Sequence, residues 1–216
     1  MAGEYTAGCA FIVEGETEKE FYLSFLTYLA GKHSAQIIRD FYSNDVPDVI
    51  YRIVYKEDSI LVKFHTVNAI TQIPRSGAWF NTQCLDKYKI IPWNVFLCYD
   101  TDKYLEDISK FYKDDWKLLR QDLKKASVLD VAAAADIEDV MLTDLVGVCR
   151  FIGCEVPSGP IAGRKGKVKL KNLFRDHNLY YHEGKRARPL IDALNMQLIM
   201  DNSGLPLQEM EHWIFK

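Results

Sequence analysis

Cys9-Ala10-Phe11-Ile12-Val13-Glu14-Gly15-Glu16-Thr17-Glu18 is the stretch on which the reading of this chain turns. Five apolar residues in succession have the length and content of a buried strand. An acid and a glycine follow directly. From Thr17 the periodicity changes, with Phe21, Tyr22, Phe25, Leu26 and Leu29 at three- and four-residue intervals, the signature of a helix with one apolar face. Gly15 reads as the tight turn between the two elements. Glu14 then stands at the carboxyl end of a strand, where open α/β sheets place ligand-binding groups. Glu16 and Glu18 fall in the first helical residues, favoured there by the helix dipole.

Two more strands end the same way. Trp93 to Tyr99 runs into Asp100-Thr101-Asp102, and Ser127 to Ala134 runs into Asp136-Ile137-Glu138-Asp139. Residues i and i+2 of an extended segment project to one side, so Asp100 and Asp102 can share a cation. Clustered carboxylates repel one another and resist desolvation unless a cation neutralises them. Oxygen donors without His or Cys suit Mg²⁺ or Mn²⁺. Two such ions about 3.5–4 Å apart would activate a water and stabilise the leaving oxygen of a phosphodiester.

Strands alternating with helices predict an α/β fold with a largely parallel sheet. Ala35 to Tyr42 and Ser59 to Val67 are further expected strands. Asn44 to Lys56 is ambiguous, with Val49, Ile50, Ile53 and Val54 at helical spacing. Helices are expected over Thr17 to Gly31, Leu105 to Ala126 and Val140 to Ile152, and low-amplitude helical turns over Ala78 to Lys89. Beyond Pro157, glycines at 159, 163 and 166 open a region whose helices (Val168 to His177, Arg188 to Asp201, Pro206 to Lys216) form a small carboxyl-terminal lobe. The expected division is 1–155 for the α/β domain and 156–216 for the lobe.

Composition sets outer limits. The 216 residues are 48% hydrophobic and 26% charged, an ordinary globular balance. No window approaches the ~18 apolar residues of a membrane span, and the amino terminus lacks a basic signal region. Five cysteines without regular spacing give no disulfide framework. The expectation is a cytoplasmic protein. The net charge of −3 hides a segregation: Arg164, Lys165, Lys167, Lys169, Lys171 and Arg175 are six basic residues in a segment without an acid. A protein holding metal with acids and phosphate with a basic segment has this pattern; so does a chain with one solvated basic helix. Cys149, Cys154, His177 and His182 loosely imitate zinc spacing, but Cys149 lies in an apolar helix and reads as a buried thiol. Tyr180-Tyr181 would stack bases or pack the lobe.

The run Val-Glu-Gly-x-Thr-Glu after one strand and Asp-x-Asp after a later one resembles the TOPRIM domain shared by topoisomerases, primases and the small nucleases of the OLD and RloB-like groups. The Glu-Thr-Glu-Lys continuation and the later Asp-x-Glu at Asp136 and Glu138 resemble the OLD and RloB-like branch. The likeness covers Ala10 to Ile152. It implies a Rossmann-like sheet, with an insertion about 36–89 accounting for the long Glu14-to-Asp100 interval. It also implies a Mg²⁺-dependent (or Mn²⁺-dependent) nuclease hydrolysing DNA or RNA, with a role in bacterial defence against phage. Glu14 would be general acid/base or ligand, Asp100 and Asp102 would hold the first ion, and Glu18, Asp136 and Glu138 would complete the sites. Lys165 or Lys167 would stabilise the developing phosphate charge, with Arg164, Lys169 and Lys171 along the nucleic acid. Lys103-Tyr104 replaces the acid-glycine continuation of topoisomerases. No Gly-x4-Gly-Lys-Ser/Thr motif is present, so an ATPase partner would be a separate chain. A homodimer is compatible with the sequence. The rival expectations are a non-catalytic TOPRIM-like subunit binding a protein or nucleic acid, and nucleotidyl transfer at the same centre.

Overall fold

The computed structural model describes residues 5–42, 48–101 and 113–216. Its organising element is β1 (Ala7–Val13), buried from Gly8 onward. The alternation of a strand sends Cys9, Phe11 and Val13 into one apolar cluster and Ala10 and Ile12 into another. Both faces of the sheet are therefore covered, which is why this strand reads as an unbroken apolar run. Phe11 stacks between Phe96 (centroids 4.7 Å) and Phe64 (4.9 Å), joining three strands through their side chains.

Five further strands complete one sheet: β2 (Gln36–Tyr42), β3 (Asp48–Tyr55), β4 (Asp58–Thr66), β5 (Trp93–Asp100) and β6 (Ser127–Ala133). The order is β2-β3-β4-β1-β5-β6. β1 is parallel to both β4 and β5, and β5 is parallel to β6, while β3 runs against β2 and β4. The fold is thus α/β with a mixed, mostly parallel six-stranded sheet flanked by helices. The expected insertion of 36–89 supplies the antiparallel wing β2–β4 and the helical turns that follow it. The ambiguous segment Asn44 to Lys56 is strand over Asp48–Tyr55, with Lys56 in the turn that follows. Ile50 and Ile53 are an odd number apart, so they enter opposite clusters, and three-residue spacing here reports burial on two faces.

On the face of Phe11 lie α1 (Glu16–Lys32) and a set of helices from the second half of the chain. They are α4 (Ile137–Met141), α5 (Leu145–Ile152), α6 (Gly166–Asp176), α7 (Arg188–Asp192), α8 (Met196–Asn202) and α9 (Leu207–Ile214). On the opposite face lie the turns of 70–85, including α2 (Ser76–Phe80), and α3 (Lys113–Asp122). Leu170, Phe174, Ile191 and Met210 belong to the same cluster as Phe11 and Phe25, so one apolar core crosses the 155/156 boundary. The lobe is held to α1 by polar contacts as well: Ser24 donates to Asp192 (2.6 Å) and Tyr28 to Gln197 (2.5 Å).

Two expected helices are interrupted. The segment Val140 to Ile152 is reset at Asp144, whose carboxylate accepts the Gly147 N–H (2.9 Å) and restarts the chain as α5. Arg188 to Asp201 is split by Asn195, which caps α8 by accepting the Leu198 N–H. Residues 105–112 of the expected long helix lie outside the described residues; Trp116 and Leu119 of α3 pack as its pattern requires. Among the described residues no helix is long and apolar enough to cross a membrane.

Candidate functional site

Strand register brings the acids together. Val13 stands beside Cys98 of β5 and Thr66 of β4, and Asp100 beside Ala133 of β6. The residues that follow, Glu14, Asp100 and Asp136, therefore leave the sheet along one carboxyl edge. Thr101 pins the end of β5, donating from its backbone N–H to Ala133 O (2.9 Å) and from its hydroxyl to Ala134 O (2.8 Å). After β4, the Val67 N–H donates to Val13 O (3.0 Å) and Asn68 adopts φ 66°, turning the chain away. Asn is among the few side chains that accept this left-handed conformation readily. The result is a cleft of about 520 Å³ whose floor carries Glu14, Glu18, Asp100, Asp136 and Glu138. Asp102 lies outside the described residues.

Gly15 has a different reason from the one expected. Its φ of −140° is ordinary extended backbone, open to any residue. A Cβ there would sit 2.7 Å from Glu18 Oε2, so glycine leaves room for the Glu18 carboxylate at the mouth of α1. Burial raises the Glu18 pKa, and Glu14 raises it further. Asp100 is pushed up to about 9, first by burial and then by Glu18, Glu14, Asp136 and Glu138. Glu138, 4% exposed, is pushed up to about 7 by burial and by Asp136, while the Tyr181 hydroxyl, donating to Oε1 (3.0 Å), works the other way. Asp136 has a structural duty beside any other. It caps α4, accepting the Asp139 N–H (2.9 Å) at Oδ1 and the Lys167 N–H (3.2 Å) at Oδ2.

The opposite wall comes from the carboxyl-terminal segment. Gly166 begins α6 packed directly on the start of α4; a Cβ there would lie 2.0 Å from the Asp139 nitrogen. This contact places Lys165 and Lys167 along the cleft. The rest of the basic run is otherwise engaged. Lys169 pairs with Asp139 (2.6 Å) and Lys171 with Glu183 (2.7 Å), while Arg164 is exposed and does not line the cleft. Lys167 also pairs with Glu183, whose carboxylate holds its pKa above the usual ammonium range. The Gly184 N–H donates to Thr17 Oγ1 (2.8 Å), tying this wall to α1.

The donor set suits a hard divalent cation: carboxylate oxygens, no His or Cys among the described residues that line the cleft, and an Asp that burial and like charge drive towards neutrality. Glu14, Glu18 and Asp100 are the side chains that would hold such an ion, with Glu138 beside them. Among the described residues no three His, Cys, Asp or Glu side chains already form a ligand cage. Thr17, Asn68 and Glu183 also line the cleft without having been singled out from sequence. A polar residue directly after the expected strand Ser59 to Val67 was the available signal for Asn68, and His182-Glu183-Gly184 carried none. Of the residues at zinc-like spacing, Cys149 is buried in α5 and His177 Nδ1 meets Leu173 O (2.9 Å). Tyr181 packs and supports Glu138, and Tyr180 is exposed. A scan of known protein-family models and a search of curated proteins each return no match to this chain.

Proposed function

We propose that the protein is a TOPRIM-like phosphodiesterase that hydrolyses DNA or RNA with Mg²⁺ or Mn²⁺. One observation carries the reading: Asp100 stands at a strand end among four other carboxylates, in a cleft that also admits Lys165 and Lys167. Clustered buried acids destabilise a protein unless they serve to bind a cation. Bound divalent metal would supply Lewis-acid stabilisation of the phosphoryl oxygens and an activated water. Glu14, Glu18 and Asp100 would orient it. Glu14 faces the same space as Lys165 and Lys167, so a proton acceptor and cationic donors flank the position a scissile phosphate would take. Tyr181 fixes one oxygen of Glu138. The likeness to the OLD and RloB-like nucleases supports the same reading through Glu14, Gly15, Asp100, Asp136 and Glu138, and with it a place in phage defence.

The test is direct. The purified chain is incubated with plasmid, single-stranded DNA and tRNA in Mg²⁺, Mn²⁺ or EDTA, beside the Asp100→Ala variant. Metal-dependent cleavage that falls at least 100-fold in the variant is expected, the scale on which loss of one transition-state contact acts. Cleavage unaffected by Asp100→Ala refutes the assignment. The ion pairs of Lys167 and Lys171 with Glu183 favour a second reading, a binding subunit without catalysis. Calorimetric titration separates the two, because a nuclease of this kind must bind Mn²⁺ and a scaffold need not.

A further inference from the structure

A second cleft, of about 370 Å³, adjoins the first along α1. Helix α1 presents Thr17 and Glu18 to the acidic cleft and the next two residues, Lys19 and Glu20, to its neighbour. The segment after Tyr181 does the same: Glu183 and Gly184 face the acids, Lys185 and Arg188 the second space. Arg39 of β2 and Tyr51 of β3 close the far side. Among the described residues Lys19, Arg39, Lys185, Arg188 and the carboxylate of Glu20 line it. Lys19 pairs with Glu16 (3.3 Å), and Arg188 with Glu20 (3.4 Å) and Asp192 (2.7 Å). The Tyr51 ring sits edge-on to Phe64 (centroids 6.0 Å) and stays half-buried.

We infer that this basic cleft is the strand-binding subsite, holding the backbone and one base of a single nucleic-acid strand that continues into the acidic cleft. The inference rests on the nuclease reading for its direction, since it deepens that reading by placing the strand. Two features select this occupant. The cations are spread over two walls rather than focused on one point, as successive phosphates require. The aromatic ring offers a face for a base, whichever base it is.

Fluorescence anisotropy with a labelled single-stranded oligonucleotide, DNA and RNA in turn, tests this in EDTA with the full chain across a KCl series. Lys185→Gln and Arg39→Gln are each expected to weaken binding several-fold and to flatten the log–log salt slope by about 0.7, one phosphate contact on a single strand. Tyr51→Leu is expected to weaken binding at least about fivefold, and Tyr51→Phe, which keeps the ring, to leave it intact. Lys124→Gln, an exposed lysine after α3, is the control. Unchanged affinity and slope in both Lys185→Gln and Arg39→Gln overturn the subsite, as does an equal loss in Lys124→Gln. Lys185-dependent binding to phosphatidylserine vesicles with none to the oligonucleotide overturns it too. Metal-dependent cleavage by the wild type is measured in parallel. Cleavage with binding insensitive to these variants removes the subsite and keeps the nuclease. Binding losses as expected without cleavage in any metal do the reverse.

Discussion

Replacing Asp100 by Asn removes a charge that the metal-free protein cannot comfortably carry. In the folded chain its pKa is about 9, against ~3.9 for an unfolded Asp. At pH 7 folding therefore takes up a proton, and the native state bears a cost of about 4 kcal/mol: some three units at 1.36 kcal/mol each. Water entering the open cleft screens part of this, so the variant is expected to be more stable than wild type by about 2–4 kcal/mol without metal. For a chain of this size that is roughly 4–16 °C in melting temperature. The sign follows from the raised value. The contribution of Asp100 to stability is fully present below about pH 4 and is lost as pH rises towards about 9. Glu138, with a pKa of about 7, adds to the loss over the lower part of that window. Scanning calorimetry in EDTA, at intervals from about pH 5 to about pH 9, should show wild type declining and Asp100→Asn declining less. Saturating Mn²⁺ should raise the wild type and leave the variant nearly unmoved, by mass action on the native state. A variant less stable than wild type in EDTA at every pH would refute the reasoning, because the carboxylate would then be a stabilising group.

Other outcomes follow from single contacts. Gly166→Ala drives a Cβ into the backbone at Glu138 and Asp139, and is expected to cost about 3 kcal/mol in denaturant unfolding. Gly15→Ala meets only the end of the Glu18 side chain, so stability should change by under about 1 kcal/mol while Mn²⁺ affinity, read by calorimetry, falls. Tyr181→Phe deletes the bond that restrains Glu138. Carboxyl-carbon NMR titration should place the Glu138 pKa above its wild-type value, and stability at pH 6 should drop by about 1 kcal/mol.

How much of this was legible follows the range of each interaction. Val13-Glu14 and Tyr99-Asp100 announced themselves because a strand buried on both faces has no polar residues until it leaves the core. Their meeting was an expectation from a parallel sheet with acids at its strand ends, and register shows only that they share an edge. The antiparallel wing was hidden at Asn44 to Lys56 because two-faced burial imitates helical spacing. Which lysines reach the cleft depends on Gly166 touching α4, a contact between residues nearly thirty positions apart. Glu183 was invisible for the same reason: its role is defined by Lys167 and Lys171, and no local pattern encodes that pairing.

The bond from Gly184 to Thr17 spans 167 positions. During synthesis on the ribosome the acidic floor emerges long before the wall that closes it. A nascent chain that has not yet released residues 165–184 has its carboxylates but neither Lys165 nor Lys167 beside them. Assembly of the complete cleft is thereby postponed until this wall has been made, with a loop-closure entropy that the packed core must offset.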